Sequence, residues 1–443
     1  MSGLLSGLRV IDSTTMVAMP TAMHIMAEMG AEVVKVESHT LRRGEGGILP
    51  ENELGERPWD REGSFNVLQR SKLGVTLNLR ADEGIEAFRD LVRVSDVLVE
   101  NNRAGTMDRL GLGYQDLRNI RPDLIYLSNT GFGYTGPWRR YAGIGRMFEL
   151  TCGLSQFTGY PDEGPRRVGA SFFDLHVGWT AVFAILTALH HRKQTGTGQW
   201  IDFAMYQIGV STIGDAILDY VANDRNGGLM GNRHSFQSPH GVYPCRGEDK
   251  WIAIAPETDA HWDALCGIMG SPPWTLEEKF ADPLSRWHNQ DEMDKLLGGW
   301  TLGYDHTELM LLLQEAGVPA GAVLNSGELF NDPHLKDRGF YERVDHHPDS
   351  GLGVRAYFSR PWKMSETPAS ISMPAPMLGE HNELVLGDLL GRSEPELAEL
   401  YEAGVVGKEP SDPRFNAPPT LERLMADGTA IGYDPDYMKA QGG

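Results

Sequence analysis

Apolar residues in the first two hundred positions alternate between short runs and longer stretches with helical spacing. Short runs between turn signals predict strands, and they occur at 8–12, 32–37, 74–79, 96–101, 123–129 and 199–205. Helical spacing of the apolar residues occurs at 20–31, at 84–95 and from Leu175 onward. This alternation predicts a mainly parallel sheet with helices on both faces, which is a Rossmann-like, doubly wound α/β fold.

The pattern changes near residue 225, where a stretch rich in Gly, Asn and Ser is typical of a linker. The segment "VYPCRGEDKWIAIAP" then predicts a hairpin with its turn near 247–249, and helical stretches follow. We therefore expect a large domain over 1–224 and a smaller α+β domain over 225–330. A segment over 331–406 would return to the large domain, and a Pro-, Asp- and Gly-rich arm would cover 407–443.

One carboxylate, Asp174, stands where the long helix after Phe172 and Phe173 is predicted to begin. Asp is a favoured N-cap residue, because its side chain accepts a hydrogen bond from an early helical amide. No Glu or Gln follows at the third helical position, so a capping box is absent. This window alone favours a helix cap over a catalytic acid.

The composition, with 41% hydrophobic and 23% charged residues, is that of a globular protein. The net charge of −21 disfavours broad binding to nucleic acid, which needs a basic surface. Three widely spaced cysteines argue against a disulfide framework and against a cysteine-based metal site. We expect no signal peptide, no apolar run long enough to span a membrane, and a cytoplasmic location.

Two motifs with weak support are a glycine-rich loop and paired histidines. "GFGYTG" (131–136) has the G-x-G-x-x-G spacing after a predicted strand, but Pro137 and the polar "WRRY" follow instead of an apolar helix. A turn with close backbone approach is the better interpretation. The pairs His190–His191 and His346–His347 have no partner at metal-ligand spacing, so no metal site is predicted.

Cations near the ends of predicted strands are more informative, since an acidic chain can still bind an anion at a local basic cluster. Each of them taken alone is more often an ordinary surface charge. They are Arg70, Lys72, Arg103, Arg109, Arg139, Arg140 and Arg146.

Several segments, in their order along the chain, resemble the class III CoA-transferase family, of the formyl-CoA and carnitine CoA-transferase type. They include "LSGLRVIDSTTMVAMPTAMHIMAEMGAEVVKVES", "DVLVENNRAGTMDRLGLGY", "LIYLSNTGFGYTGP", "RRVGASFFD" and "PAPMLGEHNELVLGDLL", and the likeness covers roughly 1–405. The resemblance implies transfer of CoA from an acyl-CoA thioester to a small carboxylic acid. CoA would be a substrate, and no tightly bound cofactor is expected.

The resemblance also assigns residues. Asp174 falls at the nucleophile, where an aspartyl anhydride and thioester would form. Lys72 and Arg109 fall where the family contacts CoA, and Asn101 lies on the same edge. With the strand-end cation Arg103, these residues are the predicted CoA site. The family forms an interlocked dimer, so we expect a homodimer here, with a heteromer of homologous subunits as the alternative. Glu149 is either a second acid of the site or an ordinary helix residue.

Departures from the family pattern narrow the function. The family often has an aromatic residue where this chain has Asn102, and formyl-CoA transferases commonly have Gln where it has Val17. These differences argue against formyl and oxalyl substrates, and a basic rim would suit dicarboxylates such as succinate. Two alternatives stay open, an acyl-CoA racemase or isomerase and a noncatalytic subunit of a heteromeric transferase. Related racemases place a histidine on the helix before the acid, and "AGIGRMFELTCG" contains none.

Overall fold

The computed structural model describes residues 3–40, 48–169, 171–413, 415, 417–434, 436 and 437. The chain divides into two compact units. The first comprises Met1–Leu154, Val168–Gly214 and Pro333–Gly443, and the second comprises Ser155–Arg167 and Asp215–Asp332. The N-terminal part of the first unit ends at Gly214, ten residues before the expected boundary at 224. The segment Ser155–Arg167 belongs to the second unit. The return segment and the described part of the arm belong to the first unit.

The first unit is built on a six-stranded sheet, and its strands occur where apolar runs predicted them. All five neighbouring pairs are parallel, in the order β3-β2-β1-β4-β5-β6. The order reverses direction between β1 and β4, and in such sheets ligands bind beyond the strand ends at this point. The strands are β1 (Arg9–Ser13), β2 (Glu32–Glu37), β3 (Leu73–Thr76), β4 (Val97–Glu100), β5 (Ile125–Thr130) and β6 (Gln199–Ala204).

Helices of the first unit connect these strands and cover the sheet. They are α1 (Ala18–Glu28), α2 (Pro58–Arg61), α3 (Gly63–Leu68), α4 (Asp82–Arg93), α5 (Thr106–Arg109), α6 (Tyr114–Ile120), α7 (Gly145–Thr151), α8 (Phe172–Thr195) and α9 (Met205–Ser211). The next helix, α10 (Gly214–Asn223), belongs to the second unit apart from its first residue.

Both faces of the sheet are buried, because successive strand residues point to opposite sides. Val10 packs in the layer that contains α1 and α8, while its neighbour Ile11 packs in the layer that contains α4. The same alternation separates Ile125 from Tyr126 on β5. The doubly wound arrangement that the sequence predicted is therefore present in the first unit.

Helix α8 begins earlier than expected. Its first residue is Phe172 and its N-cap is Ser171, so Asp174 lies inside the first turn and is not the cap. The prediction that no apolar run is long enough to span a membrane was wrong. Among the described residues, α8 is long and apolar enough to do so by length and composition alone. Core helices of α/β folds meet this criterion too, and α8 packs on α1, where a β-carbon at Gly178 would come within 2.5 Å of the Ala18 carbonyl oxygen.

Buried polar contacts join the return segment to α1 and β3 of the first unit. Glu28, at the end of α1, accepts from Arg70 Nε at 2.5 Å and from Arg360 Nη1 at 2.7 Å. Burial alone would raise the pKa of Glu28, but its bonds and charges to His24, Arg70 and Arg360 outweigh this and lower it to about 2. Asn382 accepts from the Thr76 amide at 2.9 Å. These contacts seal the edge of the sheet beside β3.

The elements of the return segment are α16 (Pro333–Asp337), β10 (Tyr341–Asp345), β11 (Val354–Phe358), a π-helical stretch (Glu383–Leu389) and α17 (Glu394–Glu402), and the arm contains α18 (Leu421–Ala426). Strands β10 and β11 form an antiparallel pair.

The second unit combines a small antiparallel sheet with helices. Its strands, in the order β7-β8-β9, include the hairpin that the sequence predicted. Its core contains Tyr243, Ile252, Trp262 and Leu297. The elements are β7 (Gly241–Pro244), β8 (Trp251–Ile254), α11 (Asp259–Ile268), α12 (Pro283–His288), α13 (Gln290–Thr301), α14 (His306–Glu315), β9 (Ala320–Val323) and α15 (Ser326–Asn331).

Candidate active site

A cavity of about 570 Å³ lies at the edge where strands β1 to β4 end, and we call it the strand-end cavity. Its walls come from the β1–α1 loop, the ends of β2 and β3, the segment after β4, and helices α2, α3 and α5. This is where an open parallel sheet binds ligands, because neighbouring strand ends separate there and leave a crevice.

Two exposed arginines line the strand-end cavity. Arg80 follows β3, and Arg109 is the last residue of α5 and donates to Thr106 Oγ1 at 3.1 Å. Arg109 was predicted from the sequence, and Arg80 was not. The signal for Arg80 was available, because "LNLR" places a cation directly after a strand. Guanidinium groups in such positions are suited to phosphate, which they can bind through paired hydrogen bonds.

Lys72, which the sequence analysis assigned to CoA, is fully buried and is not among the described residues that line the cavity. Its Nζ donates to Asp12 Oδ2 at 2.8 Å and to Gln69 Oε1 at 2.7 Å. Burial lowers the pKa of Lys72 to about 8, although the charge of Asp12 opposes the shift. A contact between Lys72 and CoA stays a prediction, and this geometry counts against it.

Asp12 is shared by two lysines, because Lys35 Nζ also lies 3.9 Å from its Oδ1. Burial would raise the pKa of Asp12, and the charges of Lys72 and Lys35 outweigh that effect and lower it. We refer to Asp12, Lys35, Gln69 and Lys72 as the Asp12 cluster. Lys35 and Gln69 also line the cavity, so the cluster supports part of its wall.

The segment after β4 carries two other predicted CoA residues. Asn101 Nδ2 donates to the Thr15 carbonyl at 2.8 Å, and its Oδ1 accepts from the Thr15 amide at 2.9 Å. Asn101 therefore fastens the β1–α1 loop, which itself lines the cavity. Arg103 is exposed and, among the described residues, is not part of the cavity lining.

Asn102, one residue further on, does line the cavity and is held from behind by Glu100. Its backbone amide donates to Glu100 Oε2 at 2.7 Å and its Nδ2 donates to the same atom at 3.2 Å. Tyr134 of the glycine-rich loop donates to Glu100 Oε1 at 3.3 Å. Burial raises the pKa of Glu100 to about 7, although these hydrogen bonds oppose the shift.

Asp174 is half-buried in the first turn of α8, one helical turn before Gly178. Gly178 packs on the first turn of α1, so Asp174 lies at the level of the loop that leads into α1. Phe173 beside it is buried, whereas Phe172 is 50% exposed. The ring of Phe172 is nearly parallel to that of His176, with the two ring centroids 6.5 Å apart. Of the two phenylalanines that precede the acid, one therefore lies in the core and the other faces outward.

The weaker candidates separate into two groups. Arg139, Arg140 and Arg146 are exposed, whereas Glu149 is 2% exposed and accepts a hydrogen bond from the Val168 amide. Glu149 is thus a buried, hydrogen-bonded residue and not an ordinary solvated helix residue. Among the described residues, no cluster of His, Cys, Asp and Glu has the geometry of a metal site.

Comparison with known proteins gives the context of this arrangement. A succinyl-CoA–D-citramalate CoA-transferase of Chloroflexus aurantiacus is 33% identical over 91% of this chain and 98% of that protein. A succinyl-CoA:mesaconate CoA-transferase of Haloarcula marismortui is 36% identical over 87% of this chain and 96% of that protein.

A solved structure of a CaiB/BaiF family protein from Brucella suis is similar with a TM-score of 0.78 and 31% identity, over 88% of this chain and all of that one. The family model for CoA-transferase family III matches residues 5–382, which include every element that forms the strand-end cavity and the start of α8. The chain therefore belongs to CoA-transferase family III.

Proposed function

We propose that this CoA-transferase moves CoA from an acyl-CoA thioester to a carboxylic acid through covalent attachment to Asp174. CoA transfer follows from the family, and the proposal concerns the route. The observation that carries it is the position of Asp174 in the first turn of a long helix, level with the loop that lines the strand-end cavity.

The transfer is a sequence of acyl exchanges in which atoms balance at each step. The Asp174 carboxylate attacks the thioester carbonyl, which releases CoA thiolate and leaves a mixed anhydride. The thiolate attacks the aspartyl carbonyl, which releases the donor acid and forms an aspartyl-CoA thioester. The acceptor carboxylate attacks the aspartyl-CoA thioester, which releases CoA thiolate and forms a second mixed anhydride. The thiolate attacks the acceptor carbonyl of this anhydride, which releases the Asp174 carboxylate and gives the new acyl-CoA. Covalent steps divide one difficult transfer into easier ones.

The start of α8 suits this chemistry because the helix dipole stabilises negative charge in the first turn. The same field makes the carboxylate a weaker base, so attack depends mainly on the placement of the carboxylate.

The strand-end cavity is the proposed site for CoA. Arg80 and Arg109 at its wall would pair with the phosphates, and Asn102 would contact the nucleotide portion. Arg103 remains a proposed outer contact. Lys72 would act indirectly, by holding Asp12 and the wall behind it.

The acceptor acids are proposed to be dicarboxylates of the succinate class. Both relatives described above are named for succinyl-CoA together with citramalate or mesaconate, which are acids with two carboxylates. A second carboxylate needs a cationic partner, and the exposed Arg139, Arg140 and Arg146 are candidates.

A homodimer is the proposed assembly, interlocked as the sequence resemblance implies. Support comes from an outward apolar stripe on α8, where Leu175, Trp179 and Phe183 are spaced one helical turn apart and exposed, Phe183 by 72%. A folded, active monomer at nanomolar concentration would contradict this assembly, as measured by analytical ultracentrifugation.

Hydroxylamine trapping tests the central proposal. Hydroxylamine added with succinyl-CoA during turnover should convert Asp174 to a hydroxamate, located by peptide mass spectrometry. Asp174→Ala should abolish transfer by the purified chain alone and leave its sedimentation unchanged. Near-native transfer by Asp174→Ala would refute the mechanism. Inactivity of the purified wild-type chain would favour a noncatalytic subunit, and solvent deuterium entering the carbon beside the thioester would favour a racemase.

A further inference from the structure

The carboxylate of Asp174 lies against a glycine at the beginning of α7. A β-carbon at Gly145 would lie 2.2 Å from Asp174 Oδ2, 2.3 Å from Oδ1 and 2.5 Å from Cγ. The φ angle of Gly145 is not in the left-handed region, so other residues could adopt its backbone conformation. Gly145 is therefore required for the space that it leaves to the carboxylate.

The same helix is fixed in place by a second close packing. Phe148 of α7 is 1% exposed, and its ring lies between two glycines. A β-carbon at Gly131 would lie 2.2 Å from Phe148 Cζ, and one at Gly143 would lie 2.3 Å from that atom. Gly131 opens the glycine-rich loop after β5, so this loop serves to seat α7 against the sheet.

Glu149 connects α7 to the chain that enters α8. Its Oε1 accepts a hydrogen bond from the amide of Val168, six residues before Asp174. The glutamate side chain is buried, and a buried carboxylate that loses such a partner costs free energy, so the contact resists breakage. The approach to the first turn of α8 is thus tied to α7.

We propose that α7 is the positioning element of the nucleophile: Gly145 sets where the Asp174 carboxylate lies, and Glu149 holds the segment that delivers it. The inference rests on the proposed role of Asp174 and adds two positioning residues to it. Glu149 acts through Val168 and does not touch the reacting atoms.

Gly145→Ala tests the first part. The added carbon overlaps the carboxylate, and a displacement of about 1 Å costs about 100-fold in rate. We expect kcat for CoA transfer and the rate of hydroxamate formation at Asp174 to fall together by about 100-fold, while KM for the acyl-CoA changes less than about threefold.

Gly214→Ala is the matched control. Gly214 is the first residue of α10, as Gly145 is of α7, and a β-carbon there meets no atom within 4 Å. Its kcat should remain at the wild-type level. Wild-type kcat in Gly145→Ala would overturn the role of Gly145.

Two substitutions of Glu149 test the second part. Glu149→Gln keeps an oxygen that can accept from Val168 and should retain kcat within about threefold with an unchanged pH profile. Glu149→Ala removes the acceptor and should lower kcat by about 10-fold or more at constant KM. Inactivity of Glu149→Gln, or loss of one limb of its pH profile, would make Glu149 a participant in the chemistry and overturn the positioning role.

The two proposals fail separately. Activity in Asp174→Ala would refute the nucleophile and, with it, the positioning element. An inactive Asp174→Ala together with wild-type kcat in both Gly145→Ala and Glu149→Ala would refute only the positioning element.

Discussion

Charges at the mouth of the strand-end cavity differ from those of the Asp12 cluster in what they face. Arg80 and Arg109 are exposed at the cavity wall, while Lys72 is fully buried with its hydrogen bonds directed at protein atoms. Sequence patterns placed Lys72 and Arg109 in one category. The difference shows that a cation near a strand end is a ligand candidate only if no buried carboxylate already holds it.

The largest effect should come from Lys72→Met. Removing one member of a buried ion pair costs about 3–5 kcal/mol of unfolding free energy, because Asp12 loses its nearest compensating charge. Urea unfolding measures the loss, and CoA-ester affinity of the remaining folded protein should fall less than in Arg109→Ala, because Lys72 supports the cavity wall only through Asp12 and Gln69. Lys295→Met, which replaces an exposed lysine of α13, serves as the control. Weakened CoA binding at full stability would restore Lys72 as a ligand.

Glu100 lies between the two regions, since it is buried but holds a residue of the cavity wall. Its pKa is raised to about 7, so the folded protein binds a proton more tightly than the unfolded chain. This contribution to stability is fully present below pH 4.5 and is lost as pH rises through 7.

Glu100→Gln should remove that pH dependence, which amounts to about 2–3 kcal/mol between pH 5 and pH 8. Urea unfolding of wild type and variant at the two pH values measures it. An identical change in stability for both proteins would mean that Glu100 does not titrate in this range.

Arg80→Ala and Arg109→Ala should each weaken CoA-ester binding by about 1–3 kcal/mol, if each makes a charge-assisted bond to phosphate. Titration calorimetry at two salt concentrations would show a smaller salt dependence in both variants, with no change in the urea midpoint. Arg118→Ala, which alters an exposed arginine of α6, is the control. Unchanged affinity in both cavity variants at low salt would contradict the CoA site.

The smallest effect is expected for Asn101→Ala. The substitution removes two hydrogen bonds to Thr15, each worth about 1 kcal/mol, and loosens the β1–α1 loop. KM for the acyl-CoA should rise several-fold at nearly constant kcat, whereas Asn119→Ala on α6 should match wild type. A fall in kcat without a change in KM would indicate that Asn101 reaches the reacting groups.

Local pattern was sufficient for the strands and most of the large helices, because both faces of the sheet are buried and apolar runs mark them. The start of α8 was misplaced, since Phe172 and Phe173 fit a strand end as well as a first helical turn. Asp174 was proposed as the nucleophile through the family resemblance, because its own sequence window resembles a helix cap.

Side-chain partners could not be predicted in the same way. The pairing of Lys72 with Asp12 joins residues sixty positions apart, and no local spacing announces it. Gly145 could not be recognised from the sequence either, because its proposed role depends on the β-carbon that it lacks, which would overlap the Asp174 carboxylate. Arg80, in contrast, could have been predicted from the sequence, since it follows a parallel strand and such strand ends form the edge where ligands bind.

The contacts of Glu28 with Arg360, and of Thr76 with Asn382, bear on how the protein is made. All six strands of the large sheet leave the ribosome before either partner has been synthesised. At about 5–20 residues per second, a ribosome would need on the order of tens of seconds to supply them. During that time Glu28 lacks its ion pair with Arg360, and the edge of the sheet at β3 lacks its contact with Asn382. Chaperones bind partly folded intermediates that expose such surfaces. We therefore expect chaperone binding to the nascent chain to fall sharply once the last quarter of the chain has emerged.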